Sequence, residues 1–269
     1  AMANLIRVGA SAGGQRPKAI IGYHPETRQI KSGQVPLPTG FQYYLLKLDG
    51  VREGSLGDPK GYGRLELAYH HMALACGIHM QPCGLLEENG RAHFLTRRFD
   101  RTDEGEKLHI QSLCAVSHFD YNLAGAYSYE DAFEEMRALG LPYPDMDQFF
   151  KRMVFNVVAR NQDDHTKNIA FLMDKSGEWR LSPAFDLTWS YNPQGDWTDM
   201  HQMSINGKRE NFTIADLLEV AHRQGIKNPS DTIEQIVDTL SRWEEYAKVT
   251  GVQMDLLKAA QRTHRLKLS

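Results

Sequence analysis

The chain has 269 residues, of which 41% are hydrophobic and 24% are charged; this is the balance of a folded globular protein and excludes a largely disordered one. The net charge of −3 excludes a broad basic surface for a nucleic-acid backbone, so we expect no direct contact with nucleic acid. No apolar run approaches the roughly 20 residues of a membrane span, and the first residues lack a signal-peptide pattern, so we expect a cytoplasmic protein without membrane contact.

The three cysteines and one pair of histidines lack the spacing of metal or redox sites. Cys76 and Cys83 are seven residues apart, which fits neither a CxxC redox pair nor a zinc knuckle, and Cys114 is distant in sequence. We interpret all three as small buried hydrophobic residues. His70 and His71 are adjacent on a predicted helix, where neighbouring side chains point about 100° apart, so we do not expect them to share a metal ion.

The first third of the chain predicts mainly β-structure. The predicted strands lie at 4–9, 18–23 and 41–48, with two or three more within 78–100. A small-residue turn at 10–14 separates the first two, and the glycine-rich stretch 50–63 predicts a loop. A helix is predicted over 65–76, because its apolar residues recur at helical spacing and Gly77 follows it.

The remaining two thirds predicts mainly helix. The predicted helices are 129–139, 147–159, 213–224, 230–249 and 253–264. A pair of strands at 169–173 and 179–181 interrupts them, between polar loops at 160–168 and 182–191. A β-rich part followed by an α-rich part predicts an α+β fold with a β-rich lobe, 1–100, and a larger, mainly helical lobe, 101–269, with a cleft between them.

The polar loop at 161–168 (NQDDHTKN) contains the densest group of reactive side chains. Asp163 and Asn168 are five residues apart, and Asp186 follows after the predicted strand pair. Protein kinases carry a catalytic Asp, an Asn five residues later and a metal-binding Asp after a short hairpin, in that order. Oxygen ligands such as those of Asn168 and Asp186 are the type that Mg²⁺ prefers. The loop therefore indicates phosphoryl transfer.

The first lobe contains candidates for nucleotide binding. The segment 9–14 is rich in glycine but lacks the full GxGxxG pattern. Lys47 lies near the end of an apolar strand, where it could simply extend its charge to the solvent. In kinases, a strand lysine contacts the ATP phosphates and pairs with a glutamate of the next helix, here Glu66. The order of glycine-rich turn, lysine, glutamate and acidic loop favours the kinase interpretation.

At the level of whole motifs, the sequence resembles the HipA-like serine/threonine kinases, which are toxins of bacterial toxin–antitoxin systems. The resemblance rests first on RMVFNVVARNQDDHTKNIAFLM at 152–173 and SPAFDL at 182–187. Further matching segments are GGQRPKA (13–19), YYLLKL (43–48), ELAYHHMALACGI (66–78), RRFDR (97–101), LHIQSL (108–113) and SINGKR (204–209). The similarity therefore extends over nearly the whole chain and implies a two-lobed protein-kinase-like fold.

The resemblance implies ATP and Mg²⁺ as cofactors and assigns roles within the polar loop. Asp163 would be the base that accepts a proton from a substrate serine or threonine. Asn168 and Asp186 would hold Mg²⁺. His165 would brace the loop, and Lys167 would approach the phosphates.

The same resemblance places the nucleotide against the first lobe. The residues expected at the ATP are Ala12, Gly13, Gly14, Lys47 and Glu66. Arg97, Arg98 and Phe99 fall where the chain crosses between the lobes and could border the adenine. Arg98 could equally form a structural ion pair with Asp100, and we leave both interpretations open.

Two departures from the family pattern concern the start of the chain. Better-known members carry an additional β-rich segment before the glycine-rich loop, which here could be a separate small protein or a trimmed part. Some members also phosphorylate their own serine just before that loop. The aligned position here is Ala10, and Ser11 beside it is the candidate for autophosphorylation.

The resemblance implies an enzyme that phosphorylates a protein substrate, a component of translation, in the bacterial cytoplasm, and is neutralised by a small DNA-binding antitoxin. A catalytically silent nucleotide-binding or partner-binding module is the alternative, although Lys47, Asp163, Asn168 and Asp186 are all present. Metal-dependent hydrolysis is a third hypothesis. It requires converging histidine ligands, and His165 alone is well placed for it.

Overall fold

The computed structural model describes residues 16–52 and 55–269. Outside this part of the chain lie the predicted strand at 4–9 and the glycine-rich turn, with Ser11, Ala12, Gly13 and Gly14. The fold is α+β, with a β-sheet lobe and a helical lobe, as predicted. The boundary near residue 100 stays a prediction.

The strands of the first lobe are β1 (Lys18–Tyr23), β2 (Ile30–Ser32), β3 (Gln42–Lys47), β4 (Val51–Arg52), β5 (Ser55–Leu56), β6 (Cys83–Glu88) and β7 (Arg91–Arg97). Among the described residues, five of them form an antiparallel sheet in the order β2-β1-β3-β7-β6. The predicted strands at 18–23 and 41–48 are confirmed. The prediction of a continuous loop over 50–63 was wrong: β4 and β5 form a short hairpin there and a helix begins before the stretch ends, because Gly50 and Gly61 (φ 67° and 74°) supply left-handed turns.

Strand register decides which charged residues of the sheet are neighbours. Strands β1 and β3 pair so that Lys18 lies opposite Lys47 at one end of the sheet. Behind them, a small apolar cluster consists of Ala19, Ile21, Tyr44, Leu46, Leu48 and Leu95. The two lysines therefore lie at adjacent positions of the sheet, although they are 29 positions apart in the sequence.

Helix α1 (Tyr62–Ala75) connects the sheet to the helical lobe. It packs on β6 and β7 through its first turns, and Leu65, Tyr69 and Met72 are fully buried in the core of the helical lobe. The close approach to the sheet depends on Gly63, because a Cβ added there would lie 2.0 Å from the carbonyl oxygen of Ala92. The helix is thus fixed to both lobes.

We expect Gly63→Ala to lower the free energy of unfolding by about 1–3 kcal/mol, since the Cβ would meet backbone that has to move. This loss outweighs the gain of about 1 kcal/mol that alanine normally brings to a helix interior. Urea unfolding followed by circular dichroism measures the change. Gly84→Ala in β6 is the matched control, because a Cβ there meets nothing within 4 Å and stability should stay unchanged. Equal stability of both variants would contradict the close contact.

The helical lobe contains α2 (Leu113–Val116), α3 (Tyr129–Ala138), α4 (Tyr143–Val158), α5 (Ile214–Gln224), α6 (Pro229–Ser241), α7 (Trp243–Thr250) and α8 (Met254–Thr263). Helix α4 begins four residues earlier than predicted, with Pro144 in its first turn. Proline is tolerated there because the first N–H groups of a helix have no partner within the helix. Its central residues are buried almost without interruption, which makes it the axis of the core.

The predicted single helix over 230–249 was wrong, because the chain bends at Arg242 and α6 ends there. Trp243 follows the bend, is 1% exposed and donates its indole N–H to the carbonyl oxygen of Leu257 at 3.0 Å. A buried indole N–H needs such an acceptor. The change of chain direction at Arg242 lets the Trp243 indole point at the Leu257 carbonyl.

The strands β8 (His109–Ser112), β9 (Ala170–Met173) and β10 (Trp179–Leu181) form, among the described residues, a three-stranded sheet in the order β10-β9-β8. The β9–β10 pair was predicted; β8 and α2 were not, because each is only four residues long. The polar loop leads into β9 and the Asp186 loop follows β10. Because these strands are antiparallel, with Phe171 opposite Leu181, both loops lie at the same end of the sheet. None of the helices in the described ranges has the length and apolarity needed to cross a bilayer.

Candidate active site

Lys47 is the centre of an ion-pair cluster between the lobes. It is 4% exposed, and its ammonium group contacts a carboxylate oxygen of Glu66 on α1 and one of Asp186 in the loop after β10. Burial alone would lower the pKa of Lys47, but the two carboxylates outweigh burial and hold that pKa above its ordinary value. The predicted Lys47–Glu66 pair is thus present, and Asp186 joins it from the second lobe.

Two further cations contact the same carboxylates. The Arg16 Nη2 atom lies 2.8 Å from Oε2 of Glu66, and the Lys18 Nζ atom lies 3.4 Å from Oδ2 of Asp186. Burial would raise the pKa of Asp186, but Lys47 and Lys18 hold it well below its usual range. Sequence analysis missed Arg16 and Lys18 as site residues. A signal existed, since antiparallel pairing of 18–23 with 41–48 can place Lys18 level with Lys47.

Asp186 has a backbone conformation that aims its carboxylate into the cleft. Its φ is 54°, in the left-handed region that costs a residue with a Cβ about 1 kcal/mol. The Nδ2 atom of Asn161 holds the position by donating to Asn156 Oδ1 at 2.8 Å and, at 3.5 Å, to the carbonyl oxygen of Asp186. Strain of this kind is found at functional sites.

The polar loop after α4 positions Asp163 at the cleft. Its side chain is 40% exposed, and its Oδ1 atom accepts a hydrogen bond from Trp197 Nε1 at 2.6 Å and lies 3.6 Å from His165 Nε2. Burial raises the pKa of Asp163 above its ordinary value, although the charge of His165 and the bond from Trp197 act in the opposite direction. The Nδ2 atom of Asn168 donates to the backbone oxygen of Asp163 at 2.9 Å and closes the loop.

Asp164 anchors the same loop from inside. Its carboxylate accepts hydrogen bonds from the Tyr129 hydroxyl at 2.8 Å, from His201 Nδ1 at 2.7 Å and from the backbone N–H of Gln202 at 2.7 Å. Burial would raise the pKa of Asp164, but His201 and these hydrogen bonds hold it below its ordinary value. Sequence analysis gave Asp164 no role, because nothing in the DDH run distinguishes a carboxylate that faces the cleft from one that faces the core.

Asn168 and Asp186 fit the expected magnesium site. Both line one narrow cavity, together with Asn161 and His165. An amide oxygen and a carboxylate are hard ligands, and Mg²⁺ commonly binds one or two protein oxygens with phosphates and water completing the octahedron. Across the described ranges, no cluster of three or more His, Cys, Asp or Glu residues could hold a metal ion by itself. The donor set suits a metal that arrives with a nucleotide.

Two predicted residues of the loop make aromatic contacts. The ring of His165 lies near those of Tyr121 and Trp197, with centroid distances of 5.6 Å and 6.1 Å. Lys167 is exposed, and its Nζ atom lies 4.3 Å from the centre of the Tyr121 ring. The structure thus brings His165 against Asp163 and places Lys167 on an aromatic ring; neither contact tests their proposed roles.

The three residues predicted at the crossing between the lobes make contacts with neighbouring side chains. Arg97 pairs with Asp103, and Arg98 pairs with Asp100 through Nε at 2.8 Å and Nη2 at 2.6 Å. The structural ion pair that we left open for Arg98 is therefore present. Phe99 lies against Phe185, with ring centroids 5.6 Å apart, beside the loop that carries Asp186.

The cysteines and the His70–His71 pair lie outside this site. All three cysteines are free; Cys76 is buried, whereas Cys83 and Cys114 are only partly buried. Burial raises the pKa of Cys83 to about 12 and lowers the pKa of His70 to about 4. Such shifts keep the thiol protonated and the imidazole neutral near pH 7.

Comparisons with known proteins find relatives of this chain. A model of the HipA-like C-terminal domain matches residues 10–245. Two proteins of Sinorhizobium fredii, named "Putative kinase Y4mE" and "Putative kinase Y4dM", are 27% identical over 125 residues and 28% identical over 165 residues. These alignments cover 43% and 57% of this chain but 30% and 39% of the relatives. The chain thus matches less than half the length of each relative.

Solved structures show the fold. HipA of Shewanella oneidensis, solved with HipB and its operator DNA, aligns with a TM-score of 0.70 at 16% identity, covering 94% of this chain and 62% of that one. The proinflammatory kinase CtkA of Helicobacter pylori aligns with a TM-score of 0.50 at 15% identity, covering 82% of this chain and 90% of that one. At these identities the likeness establishes a kinase-like fold.

Proposed function

Because the chain belongs to the HipA-like C-terminal domain family, we propose that it is an ATP- and Mg²⁺-dependent serine/threonine protein kinase. One observation carries this proposal. Lys47 bridges Glu66 of the first lobe and Asp186 of the second. Asp186 lines one cavity with Asn168, whose side-chain amide donates to the backbone oxygen of Asp163. A strand lysine, a helix glutamate, a catalytic acid and two oxygen ligands are the parts that phosphoryl transfer requires.

Each of these residues has a role that its surroundings support. Asp163 accepts the proton of the acceptor hydroxyl, and its partly exposed carboxylate is accessible from the cleft. Lys47, held by Glu66, orients the α- and β-phosphates. Asn168 and Asp186 hold the metal, which when bound neutralises charge on the phosphates. The lobes, proposed at 1–100 and 101–269, enclose the reacting groups and limit water.

The expected acceptor is a protein, and the family suggests a component of translation. The S. oneidensis HipA structure contains HipB and operator DNA, so we propose a small DNA-binding antitoxin as partner and the bacterial cytoplasm as location. Ala12, Gly13 and Gly14 are proposed to contact ATP, and Ser11 is the proposed site of autophosphorylation. Intact-mass measurement after incubation with ATP, compared with Ser11→Ala, tests the last point.

The function is tested by measuring Mg²⁺-dependent ATP binding by calorimetry and transfer of labelled γ-phosphate to dephosphorylated casein and to the protein itself. Binding with transfer supports the kinase. Binding without transfer to any acceptor favours the silent nucleotide-binding module. No binding of ATP would contradict both.

We expect Lys47→Met to weaken ATP binding and lower phosphate transfer, each by roughly 10- to 100-fold, the value of a lost charged hydrogen bond. The fold should persist, because Arg16 still pairs with Glu66 and Lys18 still pairs with Asp186. Lys258→Met on α8, at an exposed position, is the matched control and should behave like wild type. Unchanged ATP affinity in Lys47→Met would contradict the role of Lys47.

A further inference from the structure

Trp197 makes an unusual contact with the catalytic loop. It lies 11 residues after Asp186, in the described segment between β10 and α5, and its indole N–H donates to Oδ1 of Asp163 at 2.6 Å. The indole is only partly buried. Trp243, in contrast, is packed in the core and donates to a backbone carbonyl. Trp197 therefore donates its single side-chain N–H to the carboxylate of the proposed base.

The position of Trp197 is fixed from the other side as well. Its backbone oxygen accepts a hydrogen bond from the side-chain amide of Gln202, and the backbone N–H of Gln202 donates to Oδ1 of Asp164 at 2.7 Å. The chain from Asp163 through Trp197 and Gln202 to Asp164 is thus a closed ring of contacts that returns to the adjacent residue. Asp164 is itself held by Tyr129 and His201. The indole is therefore placed by the same buried network that places the loop.

A general base must be correctly oriented, and the contact with Trp197 can orient the carboxylate of Asp163. A carboxylate has two oxygens and rotates about its last side-chain bond, and a base works only when one oxygen is directed at the proton that it accepts. A hydrogen bond to Oδ1 stops that rotation and leaves Oδ2 for the acceptor hydroxyl. The bond also occupies Oδ1, so that the two oxygens have separate tasks.

We propose that Trp197 is a positioning residue for phosphate transfer: its indole N–H holds Oδ1 of Asp163 so that Oδ2 faces the acceptor hydroxyl. This inference rests on the proposed kinase function. In the transfer step, the acceptor oxygen forms a bond to the γ-phosphorus as the bond to the β–γ bridging oxygen breaks, and Oδ2 takes the hydroxyl proton. Trp197 itself gives up no proton.

The test compares Trp197→Phe with wild type, because phenylalanine keeps an aromatic ring and removes the N–H. We expect kcat for transfer of labelled γ-phosphate to dephosphorylated casein to fall by roughly 10- to 100-fold, while KM and Kd for ATP stay within about twofold. Trp179→Phe, at a partly buried tryptophan in β10, is the matched control and should leave kcat unchanged. An unchanged kcat in Trp197→Phe, or an increase that identifies the indole as a block on the base, would overturn the proposal.

A second measurement is independent of kinase activity. In ¹H–¹⁵N spectra, the indole N–H of Trp197, assigned by its absence in Trp197→Phe, should be shifted strongly downfield by the charged acceptor and should move upfield in Asp163→Ala. The indole signals of Trp179, Trp189 and Trp243 serve as internal references. A Trp197 signal that does not respond to Asp163→Ala would overturn the contact. If the signal responds but wild type transfers no phosphate to casein or to itself, the proposed function fails, and the positioning role with it, while the contact stands.

Discussion

Asp163→Asn should lower the rate of γ-phosphate transfer by roughly 10²- to 10⁴-fold while leaving ATP binding nearly unchanged, because an amide of the same shape cannot accept the hydroxyl proton. The substituted side chain keeps an oxygen for the Trp197 N–H, so the loop should retain its conformation. The measurement pairs transfer of labelled phosphate with calorimetry of ATP in the presence of Mg²⁺. A loss of ATP affinity equal to the loss of rate would indicate a damaged site and contradict the assignment of a base.

Asp238→Asn is the matched control for this variant. Asp238 lies on α6 with its side chain 74% exposed, so the same chemical change is made away from the cleft. Its transfer rate should equal that of wild type. Retained transfer in Asp163→Asn would move the base to another residue.

The pH dependence of phosphate transfer should also report on Asp163 as the base. The pKa of Asp163 is raised above its ordinary value, chiefly by burial. Since the base works only when deprotonated, activity should fall as the pH drops through that raised pKa. The acidic limb of the profile should therefore lie at a higher pH than for a solvated aspartate.

Asp164→Ala should lower the free energy of unfolding by about 3–5 kcal/mol, the range for removing one member of a buried charged network. The substitution leaves the Tyr129 hydroxyl, the His201 Nδ1 atom and the Gln202 N–H without their acceptor in a core that excludes water. Urea unfolding followed by tryptophan fluorescence measures the loss. If the protein is too unstable to purify, Asp164→Asn offers a milder change with the same direction.

Asp238→Ala is the control for stability and should stay within about 0.5 kcal/mol of wild type.

The effect of Asp164 on stability should also depend on pH. Its pKa in the folded protein lies below its ordinary value, so its contribution is present above the unfolded pKa of about 3.9 and is lost as the pH falls through the folded pKa. Asp164→Asn should therefore remove part of the acid sensitivity of wild type. A loss below about 1 kcal/mol at pH 7 would contradict the anchoring role.

The Asp163 and Asp164 variants change adjacent residues, but we expect them to affect different properties of the protein. Asp163 faces the cleft and should affect chemistry, whereas Asp164 faces the core and should affect stability first. The assignment follows from burial: the side chain of Asp163 is 40% exposed and that of Asp164 is 1% exposed. Measuring both properties in both variants separates the two roles.

The sequence alone determined the order of the elements and most of the chemical groups. Helix and strand periods are local, and so is the spacing of Asp163, Asn168 and Asp186, because a few neighbouring residues set each of them. The predicted pair of Lys47 and Glu66 also followed from a pattern that spans one strand and the next helix. The break at Arg242 and the short elements β8 and α2 were missed, since each depends on packing and has too few residues to show a period.

Only the tertiary structure decided which groups touch. The hydrogen-bond partners of Asp164 at positions 129, 201 and 202 lie 35–38 residues away, and Trp197 is 34 residues from Asp163. Strand register brought Lys18 beside Lys47. Such contacts depend on how distant segments fold back on each other, and a linear pattern carries no signal for them. The sequence could therefore supply the residues of the proposed phosphoryl-transfer site, whereas the packing of the core decided that Asp164 is buried and that Trp197 contacts Asp163.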